Sequence, residues 1–258
     1  MESKLQIFLD LITNNRFIIL GYHSISNDPL DPWSITPQDF SAQMQLLAEM
    51  QMKVFSIDRL MVFFRMRKIP KNSIAITFDD GYTNFLQNGI PILQKHQFPA
   101  TLYIPVNHIG KKSTWNSMGI EHMLLDWTDL KEITRLGYTI GSHGLNHLDF
   151  TNLNMKELTR EIDDSKKILE NFLGNSVASI SCPYSRCGER ESMVIEQAGY
   201  LFGCGPGTRY GNGLKTNRFL LGRGFIHKSE SMKDFLQIIG RKSFLNNRPS
   251  MKSTRKYS

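Results

Sequence analysis

The sequence is poor in cysteine. Its 258 residues include only Cys182, Cys187 and Cys204, an odd count without a paired Cys-x-x-Cys spacing, which excludes a disulfide framework and a zinc ribbon. Long apolar runs are missing as well: none approaches the roughly 18 residues that a membrane-spanning helix needs. The first stretch, MESKLQIFLDLITNNR, carries Glu2 and Asp10 and has no unbroken apolar region ending in a small-residue cleavage site. It reads as an amphipathic helix rather than a secretory signal, and the cytoplasm is the expected compartment. There is no internal repeat, and no low-complexity linker precedes residue 241. From there to residue 258 acidic residues are absent, and Arg241, Lys242, Arg248, Lys252, Arg255 and Lys256 supply all but one of the net seven positive charges. The body is therefore near neutral. The basic stretch is expected to be a solvated, disordered tail with at most weak contact to an anionic membrane surface or polymer. A near-neutral body also disfavours nucleic acid as a partner.

What is present suits a globular enzyme. Hydrophobic residues make up 40% and charged residues 21% of the chain, enough apolar material for one sizeable core over residues 1–240. Short runs rich in Ile, Val and Phe and bounded by Gly, Pro, Asp or Asn predict strands at 17–22, 53–57, 73–78, 100–105, 138–142, 178–182, 200–203 and 220–226. Helical patterns lie between them. Thr36-Pro37-Gln38-Asp39 opens one, continued by Phe40, Met44, Leu47 and Met50 at helical spacing. Others are expected over 128–136 and 155–173, the last with Asn154 as its cap. Strand–helix alternation implies parallel strands joined by crossover helices. About seven such units in one domain favour an α/β fold of the distorted (β/α) barrel type. Reactive groups should then sit just beyond the C-terminal ends of strands.

Two segments meet that expectation. In Ile74-Ala75-Ile76-Thr77-Phe78-Asp79-Asp80-Gly81-Tyr82 an apolar strand runs into two adjacent carboxylates. Adjacent acids repel each other and call for a cation or a proton, although Asp-Asp-Gly is also a good turn. In Thr139-Ile140-Gly141-Ser142-His143-Gly144-Leu145-Asn146-His147 a strand ends in two imidazoles four residues apart, able to converge on one ion. His96, His108 and His122 lack such spacing and are read as loop residues. Together the segments offer a two-histidine, one-carboxylate set for Zn²⁺, or for Fe, Co or Ni. The other carboxylate, Asp79 or Asp80, is left over as a general base toward water, a hydrolase arrangement.

These residues also carry a resemblance. Thr77-Phe78-Asp79-Asp80-Gly81-Tyr82 followed by Ser142-His143-x-x-x-His147 resembles the polysaccharide deacetylase family, the NodB-homology carbohydrate esterases. The resemblance covers about 17–235 and implies the NodB-type barrel. It implies Asp79 as catalytic base and Asp80, His143 and His147 as ligands of one divalent ion. Ile180-Ser181-Cys182-Pro183-Tyr184 resembles the family's third motif, which gives the Tyr184 backbone N–H the role of oxyanion donor. Ser181 stands where that motif usually has arginine, Ser185 where it has glycine, and Leu148 replaces a proline after the second histidine. The Asp-x-Asp-Trp and Leu-x-His segments of the family are missing. The arginine partner of the base is then expected from Arg186 or Arg223. Phe17-Ile18-Ile19-Leu20-Gly21-Tyr22-His23 and Asp31-Pro32-Trp33 resemble the circularly permuted subgroup that deacetylates poly-N-acetylglucosamine, which implies His23 as general acid, with His227 as its competitor.

The expected function is hydrolysis of the N-acetyl amide of an N-acetylated sugar or polysaccharide intermediate. Trp33, Trp115 and Trp127 are candidates for stacking on sugar rings, with core packing the rival role. A non-sugar amidohydrolase and a catalytically silent sugar-binding barrel remain the alternatives.

Overall fold

The computed structural model describes residues 16–115, 121–206 and 211–240. The expected N-terminal helix and the basic tail lie outside the described residues. In chain order the strands and helices are β1 (Arg16–Tyr22), β2 (Ser24–Ile25), β3 (Ser34–Ile35), α1 (Pro37–Glu49), β4 (Lys53–Phe55), α2 (Ile57–Arg65), β5 (Ser73–Phe78) and, after a π-helical turn (Phe85–Gly89), α3 (Ile90–Lys95). Then come β6 (Thr101–Ile104), α4 (Trp127–Arg135), β7 (Thr139–Ser142), α5 (Met155–Leu173), β8 (Ser179–Ser181), α6 (Glu189–Gln197), β9 (Phe202–Cys204), β10 (Asn212–Gly213), β11 (Gly224–Phe225) and α7 (Met232–Ile238). No helix among the described residues is long and apolar enough to cross a membrane.

The main sheet runs β10-β1-β5-β6-β7-β8-β9, with β4 also on β5 and β11 on β1. Among the described residues, only the β10–β1 pairing in this sheet is antiparallel. The two ends of the sheet are bridged by one segment. Leu221 pairs with Cys204 of β9, and Gly224 and Phe225 pair with Leu20 and Gly21 of β1. The structure is thus the distorted α/β barrel that strand–helix alternation predicts. Gly21 is required there, because a Cβ would lie 2.8 Å from the Phe225 ring.

Side chains alternate across the curled strands, and the alternation sorts the core. Phe17, Ile19, Ala75, Tyr103 and Phe202 share one cluster, joined by Ile57 and Leu60 of α2. Ile18, Leu20, Ile74 and Ile76 pack instead with α1, α5 and α6 through Phe40, Leu158 and Ile195. Burial on both faces is why β1 and β5 read as continuous apolar runs. Helix starts follow their caps, each a contribution of about 1 kcal/mol. Thr36 accepts from the Asp39 N–H ahead of α1. Asn154 and Glu157 cap α5 reciprocally. The Asp126–Asp129 capping box starts α4 at Trp127, one residue earlier than the apolar pattern alone suggests.

Candidate active site

Four chain segments leave strand ends and meet in one pocket. The Asp79 N–H donates to Tyr22 O at 2.9 Å, so the β1–β5 ladder fixes the first carboxylate, and the His143 N–H donates to Ile104 O at 2.9 Å in the same way. The chain then turns sharply. Asp80 (φ 70°), His147 (φ 55°), Tyr184 (φ 58°) and Ser185 (φ 55°) are all left-handed, a conformation that costs an L-residue roughly 1–2 kcal/mol. Strain of this kind persists where the surroundings over-determine it, and it gathers at functional sites.

The metal-type set comes together as expected. Asp80 Oδ1 lies 3.1 Å from His147 Nε2 and 3.4 Å from His143 Nε2, and one ligand atom from each residue fits within 4.8 Å of the others. All three side chains are buried. His143 Nδ1 is 2.7 Å from Ser181 O. A carbonyl only accepts, so Nδ1 must carry a proton, and a neutral ring then aims the lone pair of Nε2 at Asp80. Acceptor facing acceptor needs a cation or a proton between them. Burial opposes charge on His143, but the Asp79 and Asp80 carboxylates and the Ser181 carbonyl outweigh it and raise its pKa. Burial likewise opposes ionisation of Asp80, yet the two histidines hold its carboxyl well below the ordinary range. Asp80 Oδ1 has no hydrogen-bond partner among the described residues. An unpartnered buried carboxylate oxygen beside two imidazole nitrogens fits a divalent ion.

Asp79 is held differently. Arg223 Nη1 and Nη2 donate to its two oxygens at 2.7 Å each, and Nη2 also donates to Ser181 Oγ at 2.7 Å. Of the two candidate arginines the partner is therefore Arg223, which arrives on the segment that closes the sheet. Arg186 pairs with Asp149 at the pocket mouth instead. Ser181, where the resemblance would place an arginine, accepts from the arginine that replaces it. Burial alone would raise the Asp79 pKa, but Arg223 and His143 outweigh it and hold the carboxyl below its usual value.

The pocket has a volume of about 520 Å³ and takes in His23, Trp33, Trp115 and Tyr184 beside the acids and imidazoles. The His23 ring packs against Trp33 and Phe225, with centroids at 4.8 and 5.6 Å, and its buried Nδ1 has no partner among the described residues. Burial lowers its pKa, partly offset by Asp80 and Asp79. His227 meets the Trp33 ring edge-on at 5.4 Å, with Nδ1 against Ser229 Oγ at 3.0 Å, and does not line the pocket. Trp127 packs on Phe172, away from the site. Sequence reasoning misses the donors to the second Asp80 oxygen, Tyr82 OH at 2.8 Å and Trp115 Nε1 at 3.2 Å. Tyr82 lies inside the motif, whereas nothing local marks Trp115.

Comparison with known proteins gives a family and a fold. The polysaccharide deacetylase family model matches residues 66–203, more than half of the chain. The Bacillus subtilis protein YxkH, named for polysaccharide deacetylation, is 31% identical over 72% of this chain and 62% of its own length. The poly-β-1,6-N-acetyl-D-glucosamine N-deacetylase of Staphylococcus aureus is 26% identical over 73% of this chain and 66% of its own. The chain thus spans less than two thirds of the length of either relative. Among solved structures, the Streptococcus pyogenes deacetylase PplD in complex with acetate superposes with a TM-score of 0.76 at 22% identity, covering 87% of this chain and 98% of that one. IcaB from Ammonifex degensii gives 0.73 at 15% identity over 89% and 97%. At these identities the likeness establishes the fold.

Proposed function

The chain belongs to the polysaccharide deacetylase family, and on that premise we propose that it is a metal-dependent hydrolase removing the N-acetyl group from an N-acetylated sugar or polysaccharide intermediate. One observation carries the reading: a partnerless Asp80 oxygen facing two histidines, next to a second carboxylate clamped by Arg223. Asp80, His143 and His147 would hold the ion, zinc first, with cobalt, nickel and iron as alternatives. When bound, it supplies Lewis-acid polarisation of the amide carbonyl and acidification of water. Asp79, kept ionised by Arg223, accepts the proton of the attacking water. Tyr184 presents its main-chain N–H to the carbonyl oxygen as negative charge develops there. His23 protonates the departing nitrogen, a needed step because an amide anion is too basic to leave; burial makes its protonated form the stronger acid. Trp33 and Tyr184, 47% and 53% exposed, offer ring faces to a sugar at the mouth. The name of the Staphylococcus relative supports oligomers or polymers of N-acetylglucosamine as the substrate class.

The test is acetate release from N-acetylglucosamine oligomers, with and without a chelator and added Zn²⁺ or Co²⁺. Metal-dependent release is expected, together with Asp79→Asn protein that keeps its metal and loses at least about 10²-fold in turnover. Full activity in Asp79→Asn, or release indifferent to the chelator, would overturn the mechanism. Stoichiometric metal without release would move the substrate to another acyl amide.

A further inference from the structure

The two histidines of the metal-type set are oriented by different means. The His143 ring is fixed by its Nδ1 on the Ser181 carbonyl, the usual way in which a ligating imidazole is held by its second nitrogen. His147 lacks that support, since its Nδ1 is buried with no hydrogen-bond partner among the described residues. What holds its ring is Trp115, stacked at 4.1 Å between centroids and 20° between planes, with the Tyr184 ring edge-on at 4.9 Å. The same indole donates from Nε1 to Asp80 Oδ2 at 3.2 Å. With the Tyr82 hydroxyl on that oxygen too, Asp80 is left one free oxygen, Oδ1, on the side of the histidines.

Trp115 is itself anchored to the carboxylate turn. Residues 111–113 and 122–124 pair as two antiparallel arms, through Lys112 with Met123 and the Ser113 N–H on His122 O at 2.9 Å. These arms dock on the chain just after Asp80. The Leu125 N–H donates to Gly81 O at 2.8 Å, and the Thr83 N–H to Met123 O at 3.0 Å. The His108 ring meets the indole edge-on at 5.0 Å. We infer that Trp115 is the positioning residue of the metal site, setting the plane of His147 by stacking and confining Asp80 to one-oxygen ligation by hydrogen bonding. The inference rests on the reading of Asp80, His143 and His147 as ligands.

Cobalt titration of metal-free protein against a competing chelator tests it, with the visible absorption bands of bound Co²⁺ as a second readout. Trp115→Ala loses both contacts and should weaken cobalt affinity about 10- to 100-fold, the usual effect of removing an outer-shell partner. Trp115→Phe keeps a ring and loses the donor, so its loss should be smaller, and both variants should shift the cobalt bands. Melting of the metal-free proteins checks that the site, rather than the fold, has changed. Wild-type affinity and unshifted bands in Trp115→Ala would overturn the inference. Should that variant fail to fold, unshifted bands in Trp115→Phe would do the same. Acetate is not read in this experiment. Wild-type protein that binds cobalt but releases no acetate would overturn the proposed reaction and leave the role of Trp115 standing.

Discussion

Both oxygens of the Asp79 carboxylate meet a single guanidinium, that of Arg223, where neither side chain has more than 4% exposure. Taking two charges out of water is costly, and the pair is tolerated because the fork geometry and the extra acceptors at Ser181 and Thr77 satisfy most of the donors. Removing one partner strands the other. Arg223→Met should therefore destabilise the protein by about 3–5 kcal/mol, read as a lower urea midpoint. In an Asp79→Asn background the same change should cost clearly less, because the carboxylate it would strand is already neutral. Additive costs would show that the two charges are not coupled. The pair also marks a limit of sequence reading. Asp79, Asp80, His143 and His147 are legible because each pair is adjacent or four residues apart at a strand end. Arg223 is only one of two candidates, since its meeting with Asp79 spans 144 positions and arises when the sheet closes. The contacts of Trp115 with Asp80 and His147 are invisible for the same reason.

Helix α5 contributes more than a packing face. Glu161, in its second turn and buried, accepts from the main-chain N–H groups of Leu145 and Asn146 at 2.9 Å each, and from the Asn146 side chain. Those residues form the loop between the two histidines. The loop passes close enough to α5 that a Cβ on Gly144 (φ +76°) would lie 3.1 Å from the Phe150 ring and 3.3 Å from Glu161 Oε2. Charge-assisted bonds to buried donors are worth roughly 1.5–3 kcal/mol, so Glu161→Gln should lower stability by about 2 kcal/mol, roughly a 5 °C fall in Tm for a chain of this size. Glu157→Gln, in the exposed cap of the same helix, should shift Tm far less. Equal shifts would mean that Glu161 supports the helix and not the loop. At this scale the sequence is most readable where elements are long. All eight expected strand positions carry a strand or part of one, and α5 spans Met155–Leu173 as the pattern predicts. The two-residue strands β2 and β3, which pair with each other, and β10, which pairs with β1, are too short for an alternation to show, and α3 and α7 have too few turns for a period to stand out.

Over the whole molecule, the candidate site exists only when the sheet is curled. Asp80 follows β5 and the histidines follow β7, two strands held apart by β6, while Arg223 comes from the segment bridging β9 to β1. An unfolded chain has no such cluster, so an ion bound by it acts on the folded state alone. Binding at 100 times the dissociation constant then adds about 2.7 kcal/mol to stability, which for a domain of this length is roughly a 5–10 °C rise in Tm. Melting with Zn²⁺ or Co²⁺, and again after chelation, should show that rise and its reversal. Two variants locate it. Asp80→Asn weakens a ligand and should melt at nearly the same temperature with or without metal. Asp79→Asn leaves the ligands intact and should keep most of the metal-induced rise, even though the neutral side chain alters the partner of Arg223. A rise that survives in Asp80→Asn but vanishes in Asp79→Asn would exchange the roles of the two carboxylates. A rise of similar size in both would place the stabilising ion elsewhere on the molecule.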